Sequence, residues 1–154
     1  MKKNKGFTLI ELLVVMGIIA IIATIVLIAI NPARQFKQSR DTQRTSNVNT
    51  ILNAIGQNIA DNKGIFTCNG SAYTIASAAT VVKKGASDAD LRPCLVPTYI
   101  SELPVDPNGG TNTCVDNACT TGDYDSKYSV FESSTGRITV SAVGEITTSI
   151  SVTR

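Results

Sequence analysis

From Phe7 to Ile30 apolar side chains fill every helical face, and the only charged residue among them is Glu11. A stretch with no polar side is a helix with no soluble partner of its own. As an α-helix these residues span about 36 Å, against a hydrocarbon core of roughly 30 Å, so the pattern predicts a membrane-crossing helix. Asn31-Pro32 follows, and proline removes a backbone donor and clashes with the preceding turn, which predicts a kink or break there. The pattern then changes. Residues 34–64 are polar at first and afterwards place Val48, Ile51, Leu52, Ile55 and Ile59 at helical spacing, up to Asn62-Lys63-Gly64. That is an amphipathic helix continuing the apolar one, with a stripe that most simply packs on a sheet.

Beyond Gly64 the chain turns rich in Gly, Ser, Thr and Asn, with strand-like stretches at "AYTIASAATVVKK", "KYSVFES", "RITVSAV" and "EITTSISVTR". Ser133-Ser134-Thr135-Gly136 suits a hairpin loop between the second and third. The proline-punctuated "DADLRPCLVPTYISELPVDPNGG" reads as a short helix before a loop. The fold class expected is α+β: a long N-terminal helix, transmembrane half plus amphipathic half, packed on a small head of three or four antiparallel strands. The organisation is 1–6, a short basic leader; 7–30, the apolar helix; 31–63, the amphipathic stem; and 64–154, the β-rich head. With about 30 of 154 residues in the apolar segment, what remains supports one modest core.

Charge adds an asymmetry. The net charge of +2 conceals Lys2, Lys3 and Lys5 at the start, a stem carrying +3 and a head carrying −3. Arg34, Lys37, Arg40 and Arg44 form a basic cluster on the stem, for which membrane-surface contact, pairing with acidic heads of neighbouring copies and DNA binding are considered in that order. DNA ranks last, because no interleaved aromatics offer a stacking platform. Cys68, Cys94, Cys114 and Cys119 all lie in the head, and the chain has no histidine to share a metal with them. Disulfides in an oxidising compartment are therefore expected over zinc, which puts the head outside the cytoplasm. Four cysteines allow three pairings; adjacency points to Cys68 with Cys94 and Cys114 with Cys119. Without histidine, a Gly-rich phosphate loop, or a Ser or Cys with a base, no catalytic constellation is visible and no cofactor is implied.

The first thirty residues look like a secretory signal, but the apolar run exceeds the usual ~7–15 residues and no small-residue cleavage site ends it. Glu11 is the anomaly, since an acid at mid-membrane costs on the order of 2.5–3.5 kcal/mol. The positive end of the helix dipole offsets ~0.3–1 kcal/mol of that. A cut before Phe7 would do more, because a new α-amino group would then lie one turn from Glu11, to pair with it in the same chain or a neighbouring one.

"KGFTLIELLVVMGIIAIIATIV" resembles the prepilin-type cleavage and methylation motif of type IV pilins and of the pseudopilins of type II secretion: a short basic leader ending in Gly6, then Phe7, Thr8, Leu9 and Glu11 opening an apolar helix. The resemblance covers residues 1 to about 45. It implies a prepilin peptidase cutting between Gly6 and Phe7 at the cytoplasmic face and methylating the Phe7 amine. It implies a subunit held by a single pass in the inner membrane, then assembled by an inner-membrane platform into a helical filament of its own copies, with Glu11 setting register. The filament is either an extracellular pilus or a periplasmic pseudopilus, and a major secretion pseudopilin or a minor pilin for DNA uptake or adhesion are the alternatives. "LPVDPNGG" resembles the Leu-Pro-x-Asp-Pro loop of major pseudopilins, some of which bind calcium near the C-terminus. Asp106 with Asn108, and Asp123 with Asp125, invite that comparison. Neither has the Gly and terminal Glu of a full calcium loop, turn formation accounts for them, and no metal is assigned.

Overall fold

The computed structural model describes residues 6–154. The chain divides into two compact units between Phe36 and Lys37. In the first, helix α1 covers Leu9–Ile30, 22 residues, with Thr8 as its N-cap. It ends at Asn31, which takes a left-handed conformation with φ 47°, a geometry that asparagine tolerates better than most residues. Helix α2, Pro32–Asp61, starts at the next residue. Proline is favoured at a first helical position because its missing N–H would have had no partner there. The Arg34 N–H donates to the Asn31 carbonyl at 3.1 Å and to its side-chain Oδ1 at 3.4 Å. The break expected at Asn31-Pro32 is thus a stop and restart, with Asn31 serving both helix ends.

In the second unit the length of α2 from Lys37 onward carries the stripe. Val48, Ile51, Leu52 and Ile55 are buried in the core and Ile59 packs against it, each full burial worth ~1.5–3 kcal/mol. A small hairpin follows, β1 Thr67–Cys68 with β2 Ser71–Ala72. Then come β3 Thr80–Lys83, the one-turn helix α3 Arg92–Leu95, β4 Thr111–Asn112, β5 Tyr124–Glu132, β6 Ile138–Ala142 and β7 Ile150–Thr153. The main sheet runs β3-β5-β6-β7, antiparallel throughout, with β4 added on β5. Strands β3, β6 and β7 and helix α3 fall within the stretches marked by the sequence; β5 starts at Tyr124, ahead of the stretch marked from Lys127, and β4 lies outside all of them.

Strand β5 turns Tyr124, Ser126, Tyr128 and Val130 into the core, the period-two alternation of a half-buried strand. Its register with β3 slips between Val81↔Ser129 and Lys83↔Asp125. Lys127, at φ 63°, takes up the excess length. Ser126 Oγ donates to the Val82 carbonyl at 2.6 Å and accepts the Tyr128 N–H at 3.1 Å, so the bulge leaves this buried hydroxyl satisfied. The β5–β6 turn is closed by Ser133 N–H to the Arg137 carbonyl at 2.8 Å, with Gly136 at φ 74°. Cys68 is joined to Cys94, tying β1 to α3, and Cys114 to Cys119, closing the loop between β4 and β5.

Candidate functional site

The residues marked by the sequence at the N-terminus meet at the start of α1. Gly6 and Phe7 precede the helix and Leu9 is its first residue. Thr8 and Glu11 form a reciprocal capping box. The Glu11 N–H donates to Thr8 Oγ1 at 3.3 Å, while Glu11 Oε2 accepts the Thr8 N–H at 2.9 Å and the Thr8 hydroxyl at 2.7 Å. Two N–H groups that a helix start leaves without partners are thereby satisfied, and the carboxylate lies at the positive end of the helix. The spacing Thr-x-x-Glu is the signal for this box, and a focus on charge alone passes over it.

Farther along α1 the Thr24 hydroxyl donates back to the Ala20 carbonyl at 2.8 Å. The side-chain hydroxyls and carboxylate of α1 and its cap are therefore bonded within the helix, the condition for a helix in hydrocarbon. Every side chain of α1 is exposed, Leu9 at 82% among them, as is Phe7 ahead of the helix at 88%. A Cβ at Gly6 or Gly17 would meet no atom within 4 Å among the described residues. The chain's own packing therefore asks for glycine at neither position, and any such demand comes from outside it. By length and composition Leu9–Ile30 is able to cross a membrane.

Residues 1–27 match the prokaryotic N-terminal methylation motif. This is the prepilin-type cleavage and methylation motif of type IV pilins and pseudopilins. No curated protein and no solved structure matches the chain. The methylation motif therefore covers the helix start just described and the greater part of α1.

A second constellation, which the sequence does not announce, lies where α2 meets two loops of the head. Arg44, nearly fully buried, forks onto Asp106, with Nε to Oδ2 at 2.6 Å and Nη2 to Oδ1 at 3.1 Å. Its Nη1 donates to Asp41 Oδ1 at 2.8 Å and Glu145 Oε1 at 3.0 Å. Arg40 in turn holds Glu145 through two bonds at 2.6 and 2.5 Å. Asp41 lies in a cradle of consecutive backbone donors, the N–H groups of Glu145, Ile146 and Thr147, at 2.8, 2.8 and 3.2 Å. Such a run of N–H groups is an anion-binding concavity, here filled by the chain's own carboxylate. Gly144 permits it, since a Cβ there would overlap the Thr147 carbonyl and stand 3.2 Å from Asp41 Oδ2.

Charge and burial oppose one another in this network. Burial raises the Asp41 pKa, but the three N–H groups and Arg44 outweigh it and hold the carboxyl well below the usual carboxylate range. Asp106 is likewise lowered: burial opposes ionisation, and Arg44 and the Asn108 N–H overcome it. The hydrogen bonds from Arg40 lower Glu145 to about 2, against its own desolvation and with help from Arg44. All three stay ionised at neutral pH.

This arrangement corrects the view of Arg34, Lys37, Arg40 and Arg44 as one free basic cluster. Arg40 and Arg44 are spent inside the chain on acids 105 and 62 positions away, a distance over which sequence neighbours give no warning. Both Asp106 oxygens go to Arg44, and Asp106 Oδ1 also accepts the Asn108 N–H at 2.8 Å, the turn bond expected of that pair. Asp125 pairs with Lys127 at 2.6 Å. Among the described residues no group of three or more His, Cys, Asp or Glu side chains gathers as a metal set.

Proposed function

We propose that this chain is the structural subunit of a type IV pilus or pseudopilus-like filament. The observation that carries the proposal is the methylation motif at residues 1–27, running directly into an apolar helix whose apolar side chains are all exposed. Residues 1–6 are the leader, 7–30 the fibre-core helix, 31–63 the stem and 64–154 the head. A prepilin peptidase cuts between Gly6 and Phe7 and methylates the new amine. The subunit waits in the inner membrane with its head outside the cytoplasm until a platform assembles copies into an extracellular pilus or periplasmic pseudopilus. A structural role also fits the sheet-built head.

The capping box supports a part for Thr8 beside Glu11, and Leu9 takes its part through its exposed side chain. In the uncut chain Thr8 keeps the Glu11 carboxylate hydrogen-bonded, which lowers the cost of an acid near hydrocarbon. After the cut, the Phe7 amine of an adjacent copy is a stronger, charge-assisted partner for the same carboxylate, and exposed Leu9 packs beside that contact. The loop at 103–110, whose "LPVDPNGG" resembles the Leu-Pro-x-Asp-Pro loop of major pseudopilins, supports a secretion-type head as the second reading.

Native fibres, purified and analysed by N-terminal mass spectrometry, are expected to contain chains that begin at Phe7 with one methyl group. Chains that begin at Met1, or preparations without fibres, defeat the proposal. Glu11→Ala is expected to insert in the membrane as the unsubstituted chain does while fibre yield falls by about tenfold or more.

A further inference from the structure

Two Asn-Gly pairs lie in the head, Asn69-Gly70 and Asn108-Gly109. Asparagine is a chemically labile residue, most so before glycine, whose nitrogen has no side chain beside it to hinder attack on the asparagine amide. The structure holds the two pairs differently. Asn69 and Gly70, at φ 50° and 78°, are the two residues of the turn between the paired Cys68 and Ser71, a tight hairpin turn. Cys68 is bridged to Cys94, and Asn58 grips both the Thr67 N–H and the Thr67 carbonyl at 2.9 Å. Rotating Asn69 far enough to bring the Gly70 nitrogen onto its Cγ would unpair that hairpin.

Asn108-Gly109 has no strand partner. The bonds that close its turn both go to Asp106, from the Asn108 N–H to Oδ1 at 2.8 Å and from the Gly110 N–H to the carbonyl at 3.0 Å. Between them, the Gly109 N–H and the Asn108 side-chain amide make no hydrogen bond among the described residues. Both residues are exposed, and Asn108 borders an open groove that admits water. Gly109, at φ 122°, takes a conformation that favours glycine, so the fold itself sets an unhindered nitrogen beside Asn108.

We propose that Asn108-Gly109 is a self-modification site whose conversion loosens the hold of Asp106 on Arg44. The Gly109 nitrogen bonds to Asn108 Cγ, the Cγ–Nδ2 bond breaks, and ammonia leaves with the Gly109 proton. Water then opens the cyclic imide. Breaking the new Cγ–N bond gives an ordinary aspartate. Breaking the original peptide bond gives an isoaspartate, whose main chain runs through Cβ and Cγ and is one atom longer. The turn has no room for that atom, because Gly110 lies so close to Asp106 that a Cβ on it would overlap the Asp106 nitrogen and carbonyl. Displacing Gly110 weakens its bond to Asp106, whose carboxylate is the forked partner of Arg44. The reaction needs only the folded head and water, and is independent of the filament proposal.

The test keeps the full chain in detergent at mildly alkaline pH and follows it by peptide mass mapping and by methylation with a protein isoaspartyl methyltransferase. In the folded chain Asn108 is expected to convert at least about tenfold faster than Asn69, giving both aspartate and isoaspartate, and in denaturant the two rates are expected to converge. The denaturation midpoint of the head is expected to fall as the chain ages. Aged Asn108→Gln, which keeps the N–H to Asp106 but would have to close a larger ring, is expected to hold its midpoint. Asn108→Asp, which carries the charge without the extra atom, is expected to stay close to the fresh chain. Conversion at Asn69 as fast as at Asn108, or none at Asn108 while the denatured chain converts, overturns the site. An unchanged midpoint after conversion, an equal fall in Asn108→Gln, or an Asn108→Asp head as weak as the aged one overturns the loosening.

Discussion

Helix α1 and the head-bound length of α2 solve opposite problems with the same backbone. In α1 the apolar residues cover all faces and remain exposed, while its few polar side chains are satisfied within the helix by Thr8, Glu11 and Thr24. In α2 the apolar residues form one stripe and are buried, while polar residues in phase with them are satisfied from outside the helix, Arg44 by Asp106 and Asn58 by the Thr67 and Cys94 carbonyls. Asn58 also accepts the Thr67 N–H at 2.9 Å, so polar clamps bracket the apolar stripe. The contrast teaches where specificity resides. A helix satisfied internally accepts any apolar surround, whether lipid or other helices; a helix satisfied externally has one partner and one register.

Breaking the external clamp has the largest expected effect. Arg44→Met leaves Asp41, Asp106 and Glu145 without their central cation in a buried setting, and loss of one member of a buried ionic set costs ~3–5 kcal/mol. Chemical denaturation of the full chain in detergent, followed by near-UV circular dichroism of the head tyrosines, measures it. A loss below about 1 kcal/mol would mean that water reaches the network and screens it. Next in size is the Cys68–Cys94 bridge, which closes a separation of 26 residues. On the chain-entropy model its removal by Cys68→Ser with Cys94→Ser costs ~3 kcal/mol. Neither change is expected to alter membrane insertion, which depends on α1.

Acid tests the same clamp without mutation. Asp41, Asp106 and Glu145 have folded-state pKa values below those of the unfolded chain. Between the two values the unfolded state binds more protons, so stability falls as pH falls. Their contribution is complete above the unfolded carboxylate range of ~4. It is lost as pH descends through about 2 for Glu145, with Asp41 titrating later. Head melting temperature is therefore expected to drop steeply below pH ~4. Arg44→Met, whose carboxylates lack that cation, is expected to show a shallower slope; equal slopes would assign the acid sensitivity to other groups.

Periodicity made both helices and the main strands legible, because 3.6- and 2-residue repeats are local properties of the chain. The stripe Val48, Ile51, Leu52, Ile55 needed no partner to be seen, whereas only the part of β5 from Lys127 onward was marked. The ionic clamp was different: Arg44 and Asp41 have the phase of the stripe, yet polar residues at 41 and 44 read as the polar first part of the stem, and their partners arrive from Asp106 and Glu145 on loops. Gly144 is equally opaque beforehand, since its necessity depends on Asp41 being underneath it. At the N-terminus Glu11 stood out because it violates the apolar pattern, whereas the contribution of Thr8 lay in the Thr-x-x-Glu spacing and emerged from the hydrogen bonds.

The smallest predicted effect separates the two helices most cleanly. Thr8→Val keeps the volume and the β-branch but removes the hydroxyl that both donates to Glu11 Oε2 and accepts the Glu11 N–H. Loss of an N-cap hydroxyl costs ~1 kcal/mol, and here that cost falls on the first turn of α1. Denaturation of the head is expected to be unchanged, because the first unit holds none of the head's buried residues. Amide hydrogen exchange of Leu9–Leu12 in detergent is expected to accelerate about fivefold, which is ~1 kcal/mol read as an opening equilibrium. If exchange does not change, the Thr8 N–H alone suffices to hold the carboxylate. If the head loosens instead, the internal satisfaction of α1 is not independent of the clamp on α2, and the contrast between them fails at its simplest point.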